Sequence, residues 1–353
     1  MKNTWTSIGL MSGTSLDGLD VCHATFSRRP DGGWTYRIDA ARGYAYPAEL
    51  KEKLGTAVQR MSALEFAAFH SEYGRFLGER VNDFIAETGL RPDIVASHGH
   101  TVFHEPAKRI MYQIGDGAAI AAATRIPTVS DFRRLDIMLG GQGAPLVPIG
   151  DRLLFGDYDY CMNIGGFSNI SYEAEGRRIA FDISPVNYVI NRFCRRIGLE
   201  FDRDGDIARG GTLDEGLLTR LDALPYYAEK PPKSLGREWV EQNVFPLLDA
   251  SGLALPDLLR TWYEHAAGQT ARVTESGRSL LLTGGGAFNR FLVERIAERT
   301  GCRIVIPDRQ TIEFKEALIF AFLGVLYMAD EPSCLSSVTG AACDNIGGML
   351  FKI

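Results

Sequence analysis

The chain has 353 residues, 45% of them hydrophobic and 23% charged, with a formal net charge of −6. That length suits two domains, the composition is ordinary for a globular protein, and the acidic balance excludes the basic face of a nucleic-acid binder. No apolar run approaches the ~20 residues of a membrane span, the N-terminus carries no apolar segment of signal-peptide length, and six scattered cysteines without a CxxC pair fit reduced thiols in a cytoplasm.

Residues 5–11 are an apolar run that reads as a buried strand. It leads into Gly13, Thr14, Ser15, Leu16, Asp17, Gly18, Leu19 and Asp20. Glycines admit phosphate oxygens close to backbone N–H groups, hydroxyls donate, and carboxylates can hold Mg²⁺ through water. Apolar residues resume at Val21, so the stretch reads as a hairpin tip; it lacks the lysine and following helix of a Walker loop. Residues 5–11, 20–27 and 34–40 read as a three-stranded meander, followed by a helix over 61–88 that Gly89 caps.

A short strand, 93–96, ends in the segment 97–106, which holds His98, His100 and His104. Gly99, the pair Thr101-Val102 and Pro106 argue for a polar, substrate-facing loop; a metal site through His100 and His104 would need a helix and a third ligand. Gln113, a helix over 117–124 and a strand over 127–130 follow. Then Arg133 and Asp136 precede the glycine-rich link 140–148, which reads as a hinge between lobes.

The second half repeats the opening. A strand, 158–164, runs into the turn Gly165-Gly166-Phe167-Ser168-Asn169, and 170–172 resumes a strand. Residues 179–181 carry Asp182 to a strand end, and 183–187 turn into a helix over 188–197, with Pro185 and Asn187 as helix-start residues. A carboxylate so placed suits a general base; the alternative is a helix-capping Asp. Residues 201–206 read as a turn opening a helix, and 231–239 as a rigid loop whose cations, Lys233 and Arg237, either approach phosphates or lie on the surface. A strand, 279–282, meets Gly284, Gly285, Gly286 and Asn289 ahead of a helix, where a flat ligand or phosphate can lie on the backbone. After a strand over 302–306 comes the buried helix 313–328. Glu316 sits near its N-terminal end, where it is favoured by the dipole or faces substrate hydroxyls.

Two glycine and hydroxyl hairpins followed by a strand–GGG–helix element follow the order of the actin, Hsp70 and sugar kinase superfamily. The segments MSGTSLDGLD (11–20), SHGHTVFHEP (97–106), GGQGAPLVP (140–148), NIGGFSN (163–169), FDRDG (201–205) and GGGAFN (284–289) resemble the anhydro-N-acetylmuramic acid kinase family over nearly the whole chain. The resemblance implies a two-lobe α/β, ribonuclease H-like fold with ATP in the cleft. It implies hydrolytic opening of a 1,6-anhydro sugar with phosphorylation of O6, in the recycling of cell-wall peptidoglycan. The lobes are expected as 1–133, completed by 340–353, and 134–339. Asp182 is the implied base. Gly13 to Asp20, Gly165, Gly166, Asn169, Gly284 to Gly286 and Asn289 are the implied ATP site. His98, Gln113, Arg133, Asp136 and Glu316 are the implied sugar site. ATP and Mg²⁺ are the expected cofactors, a small sugar the expected partner and a homodimer an open one; nucleic acid and membrane are not expected. Two rival readings are a metal-dependent transferase using His100 and His104, and an ATP-switched binding protein. The segment 181–187 reads FDISPVN where the family has FDTGPGN, and the lost glycines predict a stiffer backbone with added bulk beside the substrate.

Overall fold

A computed structural model of the chain describes residues 2–353 apart from Thr14, Ser15 and Asp17, with backbone only for 57–60. Contacts divide it into two units, Met1–Leu154 with Phe314–Ile353, and Phe155–Glu313.

The first unit opens with β1 (Thr4–Ser12), β2 (Leu19–Arg28) and β3 (Trp34–Tyr44), the expected antiparallel meander, with a bulge at His23/Ala24. Pro47 then starts a helix, Ala48–Arg60, that the sequence pattern does not announce; among its described residues the buried ones are the apolar Leu50 and Leu54, set among many charges. The expected long helix is Ala63–Thr88. Ser62 and Glu65 form a reciprocal capping box at its start and Gly89, at φ 72°, caps its end. The strand β4 (Ile94–Ser97) pairs parallel with β1. Residues expected as a loop instead form a hairpin, β5 (His100–Glu105) and β6 (Ile110–Ile114). The Thr101-Val102 pair that argued against a helix suits a strand equally well. The helix Gly117–Thr124 and β7 (Thr128–Ser130), parallel to β4, complete the first pass.

The second unit begins with β8 (Tyr160–Ile164), β9 (Phe167–Ala174) and β10 (Arg177–Pro185), again an antiparallel meander. Phe167, Ser168 and Asn169 belong to β9, so the turn proper is Gly165-Gly166. Several helices follow, among them Asn187–Arg195, Glu215–Asp222 and Arg237–Asn243, and the core helix Leu255–Ala271, which buries Leu259, Trp262 and Tyr263. Then β11 (Ser279–Thr283) and β12 (Arg303–Val305) add in parallel beyond β8, with the helix Arg290–Thr300 between them.

The chain returns to the first unit along the helix Arg309–Met328 and ends with β13 (Met349–Phe351), antiparallel to β7. The two sheets therefore run β13-β7-β4-β1-β2-β3 and β10-β9-β8-β11-β12. Each contains one pattern: a meander of three strands, then two strands parallel to the first.

The unit boundaries fall at 154/155 and 313/314 rather than at the expected 133/134 and 339/340. Packing explains the difference. A Cβ on Gly9 of β1 would stand 1.9 Å from Ala317 O, and one on Gly324 would stand 2.7 Å from Ala96 Cβ; these glycines let the apolar helix Arg309–Met328 lie against β1 and β4. The helix Val147–Leu154 joins the same unit: Lys315 meets Asp151 at 2.7 Å, both almost buried, and a Cβ on Gly150 would strike Ile319. The link 140–148 is thus internal to the first unit, where Gly141 N donates to Asp136 O, Gly143 N to Asp136 Oδ2 and Gln142 N to Thr339 O. Among the described residues no helix is long and apolar enough to cross a membrane.

Candidate active site

In the first unit the carboxyl ends of the parallel strands β1, β4 and β7 are Ser12, Ser97 and Ser130, the usual seat of ligands in such sheets. The hairpin after β1 is described at Gly13, Leu16 and Gly18; Thr14, Ser15 and Asp17 lie outside the described residues. Leu16 N donates to Gly13 O at 3.3 Å. Gly18, at φ 157°, would place a Cβ 2.7 Å from Tyr44 O, so internal packing alone accounts for this glycine. Leu19, expected beside the phosphates, points its side chain into the core. Gly13, Gly18 and Asp20 share a recess of about 280 Å³ with Gly43, Tyr44 and Glu316. Glu316 lies two turns inside a helix that starts at Arg309, not at its end, so the dipole does not explain it. Its residue surface is exposed through the recess, while the surrounding protein raises its carboxyl pKa and Arg133 and Lys315 pull it down.

A second cavity, of about 180 Å³, opens beside the ends of β4 and β7 and is lined by Ser97, His98, Gln113, Ser130, Asp131 and Arg134 among others. Asp131 holds φ at 61° there, an uncommon backbone state for a residue other than glycine. His98 donates from Nδ1 to Gly99 O at 2.8 Å. Its Nε2 accepts from Gln113 Nε2 at 2.9 Å and from Arg133 Nη2 at 2.9 Å. Burial and the nearby guanidinium lower its pKa to about 3, so the ring is neutral. Arg133 also donates to Gly143 O, and burial brings its pKa down to about 10, leaving it charged. Gln113 bridges His98 and Thr101. Asp136, grouped with these residues from the sequence, is fully buried. Its oxygens accept from Gly143 N at 2.8 Å, Thr339 Oγ1 at 2.7 Å and Asn345 Nδ2 at 3.0 Å. It anchors the glycine-rich link to the C-terminal segment. The expected sugar-binding set is thus divided: His98 and Gln113 line one cavity, Glu316 lines the other, Arg133 braces His98, and Asp136 lies beneath.

The histidine pair does not make a metal site. His100 and His104 sit four residues apart on a strand, about 13 Å at strand rise, and His104 Nε2 bonds Gln142 O. Among the described residues no three His, Cys, Asp or Glu side chains group as metal ligands.

In the second unit, Gly165-Gly166 joins β8 to β9, and Gly284 to Gly286 follow the neighbouring β11, so both glycine elements stand at one sheet end. Gly284, at φ 79°, and Gly286 press on Ile164, where a Cβ would clash. At Gly285 a Cβ would meet nothing within 4 Å, and at Gly166 only Tyr188 Cβ at 3.8 Å. The fold does not need glycine at these two positions; a ligand lying against the backbone would. Asn289 donates to Tyr263 OH at 2.7 Å and accepts from Leu292 N, capping the next helix. Its amide is occupied in holding the glycine loop. The FDRDG turn behaves as expected: Asp202 accepts from Ile207 N and Ala208 N.

Asp182 is not the end of its strand. β10 continues to Pro185, with a bulge between Asp182 and Ser184, a device that re-aims side chains. Nor does it cap a helix: the next one starts at Asn187 with Val186 at the N-cap and no side-chain cap. Asn187 N and Tyr188 N donate instead to Gly165 O and Gly166 O. Pro185 closes the strand, and Asn187 is the first helical residue rather than a cap. Ile183, Ser184, Pro185 and Val186 are all buried, and none has a positive φ. The bulk expected beside the substrate is turned into the core, with Ile183 and Val186 both in the hydrophobic cluster of this unit; Val186, where the family has its second glycine, sits at φ −127° and ψ −87°, outside the usual strand and helix regions. Asp182 is half-buried. Its Oδ2 accepts from Leu235 N at 2.9 Å, while Oδ1 makes no hydrogen bond among the described residues. Desolvation raises its pKa above the ordinary Asp value, against the lowering effect of the Leu235 amide. In register, Asn163 of β8 faces Asn169 of β9, which faces Asp182 of β10, a polar row across three strands. Sequence reading named the last two and missed Asn163, although it is the one polar residue at the end of an apolar strand.

A doubled five-strand pattern with a glycine turn in each first hairpin, and a glycine loop between β11 and its helix, defines the actin-like class of ATP-utilising kinases. The family model for anhydro-N-acetylmuramic acid kinase matches residues 5–352. The chain is 35% identical to the anhydro-N-acetylmuramic acid kinase of Pseudomonas paraeruginosa (strain DSM 24068 / PA7), over 98% of each chain. It is 33% identical to that of Xanthomonas oryzae pv. oryzae (strain MAFF 311018), over 98% of this chain and 96% of the relative. Among solved structures, component A of the Acidaminococcus fermentans (R)-2-hydroxyglutaryl-CoA dehydratase aligns at 11% identity and TM-score 0.48, over 92% of this chain and 99% of that one. The chain belongs to the anhydro-N-acetylmuramic acid kinase family.

Proposed function

We propose that the protein adds water across the 1,6-anhydro ring of anhydro-N-acetylmuramic acid and transfers the ATP γ-phosphoryl group to O6, giving N-acetylmuramic acid 6-phosphate for peptidoglycan recycling. The observation that carries this reading is the carboxyl of Asp182: half-buried on a bulge, with Oδ2 held and Oδ1 without a hydrogen bond among the described residues. Water is a poor nucleophile unless a base accepts its proton as it attacks. Oδ1 takes that proton while the water oxygen bonds to the anomeric carbon and the C1–O6 bond breaks. The freed O6 attacks the γ-phosphorus and ADP leaves, so one base serves both events.

Family membership and the fold-free glycines Gly166 and Gly285 support nucleotide binding along the second unit's glycine elements. Gln113 and Glu316 suit sugar hydroxyls, with His98, both of its ring nitrogens engaged, holding Gln113 in place beside the cavity. Mg²⁺ would enter with the nucleotide; Asp20 and Glu316, sharing one recess with Gly13 and Gly18, suit a water-mediated hold. When bound it neutralises phosphate charge. The cysteines, with no disulfide among the described residues, agree with work in a reducing cytoplasm.

The test is product mass after incubation with ATP, Mg²⁺ and the anhydro sugar in oxygen-labelled water. A product heavier by one water and one phosphoryl group, with the label on the sugar, is expected. ADP release with an unchanged sugar, or label in the phosphate, would refute the reaction.

A further inference from the structure

Three polar handles of Asp182 are gripped by one segment, residues 226–235. Its N–H donates to Lys233 O at 3.3 Å. Its main-chain carbonyl accepts from the Tyr226 hydroxyl at 2.5 Å. Its Oδ2 accepts from Leu235 N at 2.9 Å. The segment is itself closed by Lys233 Nζ, which donates to Tyr226 O at 3.0 Å and lies 4.4 Å over the Tyr226 ring. Lys233 is therefore turned inward as a brace, not outward toward phosphates.

From this geometry we infer that the segment 226–235 is a clamp that sets the orientation and basicity of the catalytic carboxylate, with Tyr226, Lys233 and the Leu235 amide as positioning groups. The inference rests on Asp182 being the base. A bulged strand gives a carboxylate freedom to turn, since Ile183 is skipped in the pairing with β9. Pinning Oδ2 leaves Oδ1 as the single proton acceptor and stops the group from rotating away from the water. The Leu235 N–H also favours the charged form and so offsets part of the desolvation that raises the Asp182 pKa. Tyr226 remains a donor throughout, because burial and the Asp182 charge push its own pKa far up. The titratable groups around the carboxylate are Tyr226 and Lys233 on the clamp and Glu229, which acts on both; β9 presents the neutral Asn169.

The test compares pH–rate profiles of kcat in the full-length enzyme. Leu235→Pro removes the amide donor, and Leu235→Ala keeps it while trimming the same side chain. Loss of the donor destabilises the carboxylate, so the acidic limb of Leu235→Pro should move to higher pH, with kcat down about tenfold or more and both KM values within about threefold. Leu235→Ala should keep the wild-type limb. Tyr226→Phe, which changes one hydroxyl and guards against misfolding of the proline variant, should lower kcat with unchanged KM values and a normal thermal midpoint. If Leu235→Pro and Tyr226→Phe both keep the wild-type limb and kcat while Asp182→Asn is inactive, the clamp is refuted and the base stands. If Asp182→Asn keeps its activity, the base itself is wrong.

Discussion

The guanidinium of Arg133 donates to Nε2 of His98 across 2.9 Å, on the side of the ring opposite the bond from Nδ1 to Gly99 O. The imidazole is thereby held as one neutral tautomer beside the cavity at the ends of β4 and β7. Its pKa is about 3 in the folded chain, below the value of about 6.5 for a free imidazole. The unfolded chain therefore binds the extra proton first. The stability this site contributes is complete above about pH 6.5 and falls as pH drops toward 3, by at most about 1.4 kcal/mol per pH unit. In NMR titration the His98 ring, assigned by difference against His98→Asn, should stay neutral down to about pH 5. A midpoint near 6.5 would contradict the arrangement.

Gly285 and Gly166 separate fold from function. Neither has a positive φ and neither has a close neighbour where a Cβ would stand. Alanine at either position should change stability by less than about 0.5 kcal/mol and weaken ATP binding about tenfold or more, read by calorimetry. Unchanged affinity in both variants would remove these turns from the nucleotide site.

Gly9 makes the opposite case. A Cβ there meets Ala317 O at 1.9 Å and Ala321 N at 2.5 Å, both main-chain atoms of a buried helix that cannot yield locally. Gly9→Ala should cost about 3 kcal/mol or more through overpacking, measured as a shift of the urea midpoint. A midpoint like that of wild type would mean that helix and strand are not packed this closely.

Asp136 should behave as a structural anchor. Its carboxylate takes three donors in a fully buried site. Asp136→Asn replaces one acceptor oxygen by a donor and should cost about 2–3 kcal/mol. At a temperature where the variant is folded, the sugar KM should be unchanged. A raised KM with an unchanged unfolding midpoint would return Asp136 to the substrate site.

Much of this architecture is legible in the sequence because it rests on local signals. The apolar runs on either side of Gly13 to Asp20, the Gly89 cap and the apolar helix ending at Met328 follow from residue pattern alone. The recurrence of a glycine hairpin at Gly165-Gly166 announces the doubled topology. What stays hidden depends on partners distant in the chain. Asp136 looks like a cleft carboxylate until Thr339 and Asn345 arrive from the other end of the sequence. Lys233 looks like a phosphate-seeking cation until Tyr226 takes it inward. The segment Ile183 to Val186 looks like bulk at the site because its bulge, which sends those side chains into the core, is set by pairing with β9. The unit boundary is hidden for the same reason: only packing assigns residues 314–328 to the unit that opens the chain.

The central claim is that Asp182 Oδ1 accepts the proton of the attacking water. The most direct measurement is single-turnover phosphorylation of the anhydro sugar by Asp182→Asn, with ATP and sugar both saturating. The amide keeps the shape and the Leu235 contact through its oxygen but has lost its basicity, so the rate should fall by ~10²–10⁴-fold while both substrates bind within about threefold of wild type. A rate near that of wild type would contradict the account and move the role of base to another carboxylate, with Glu316 the first to examine.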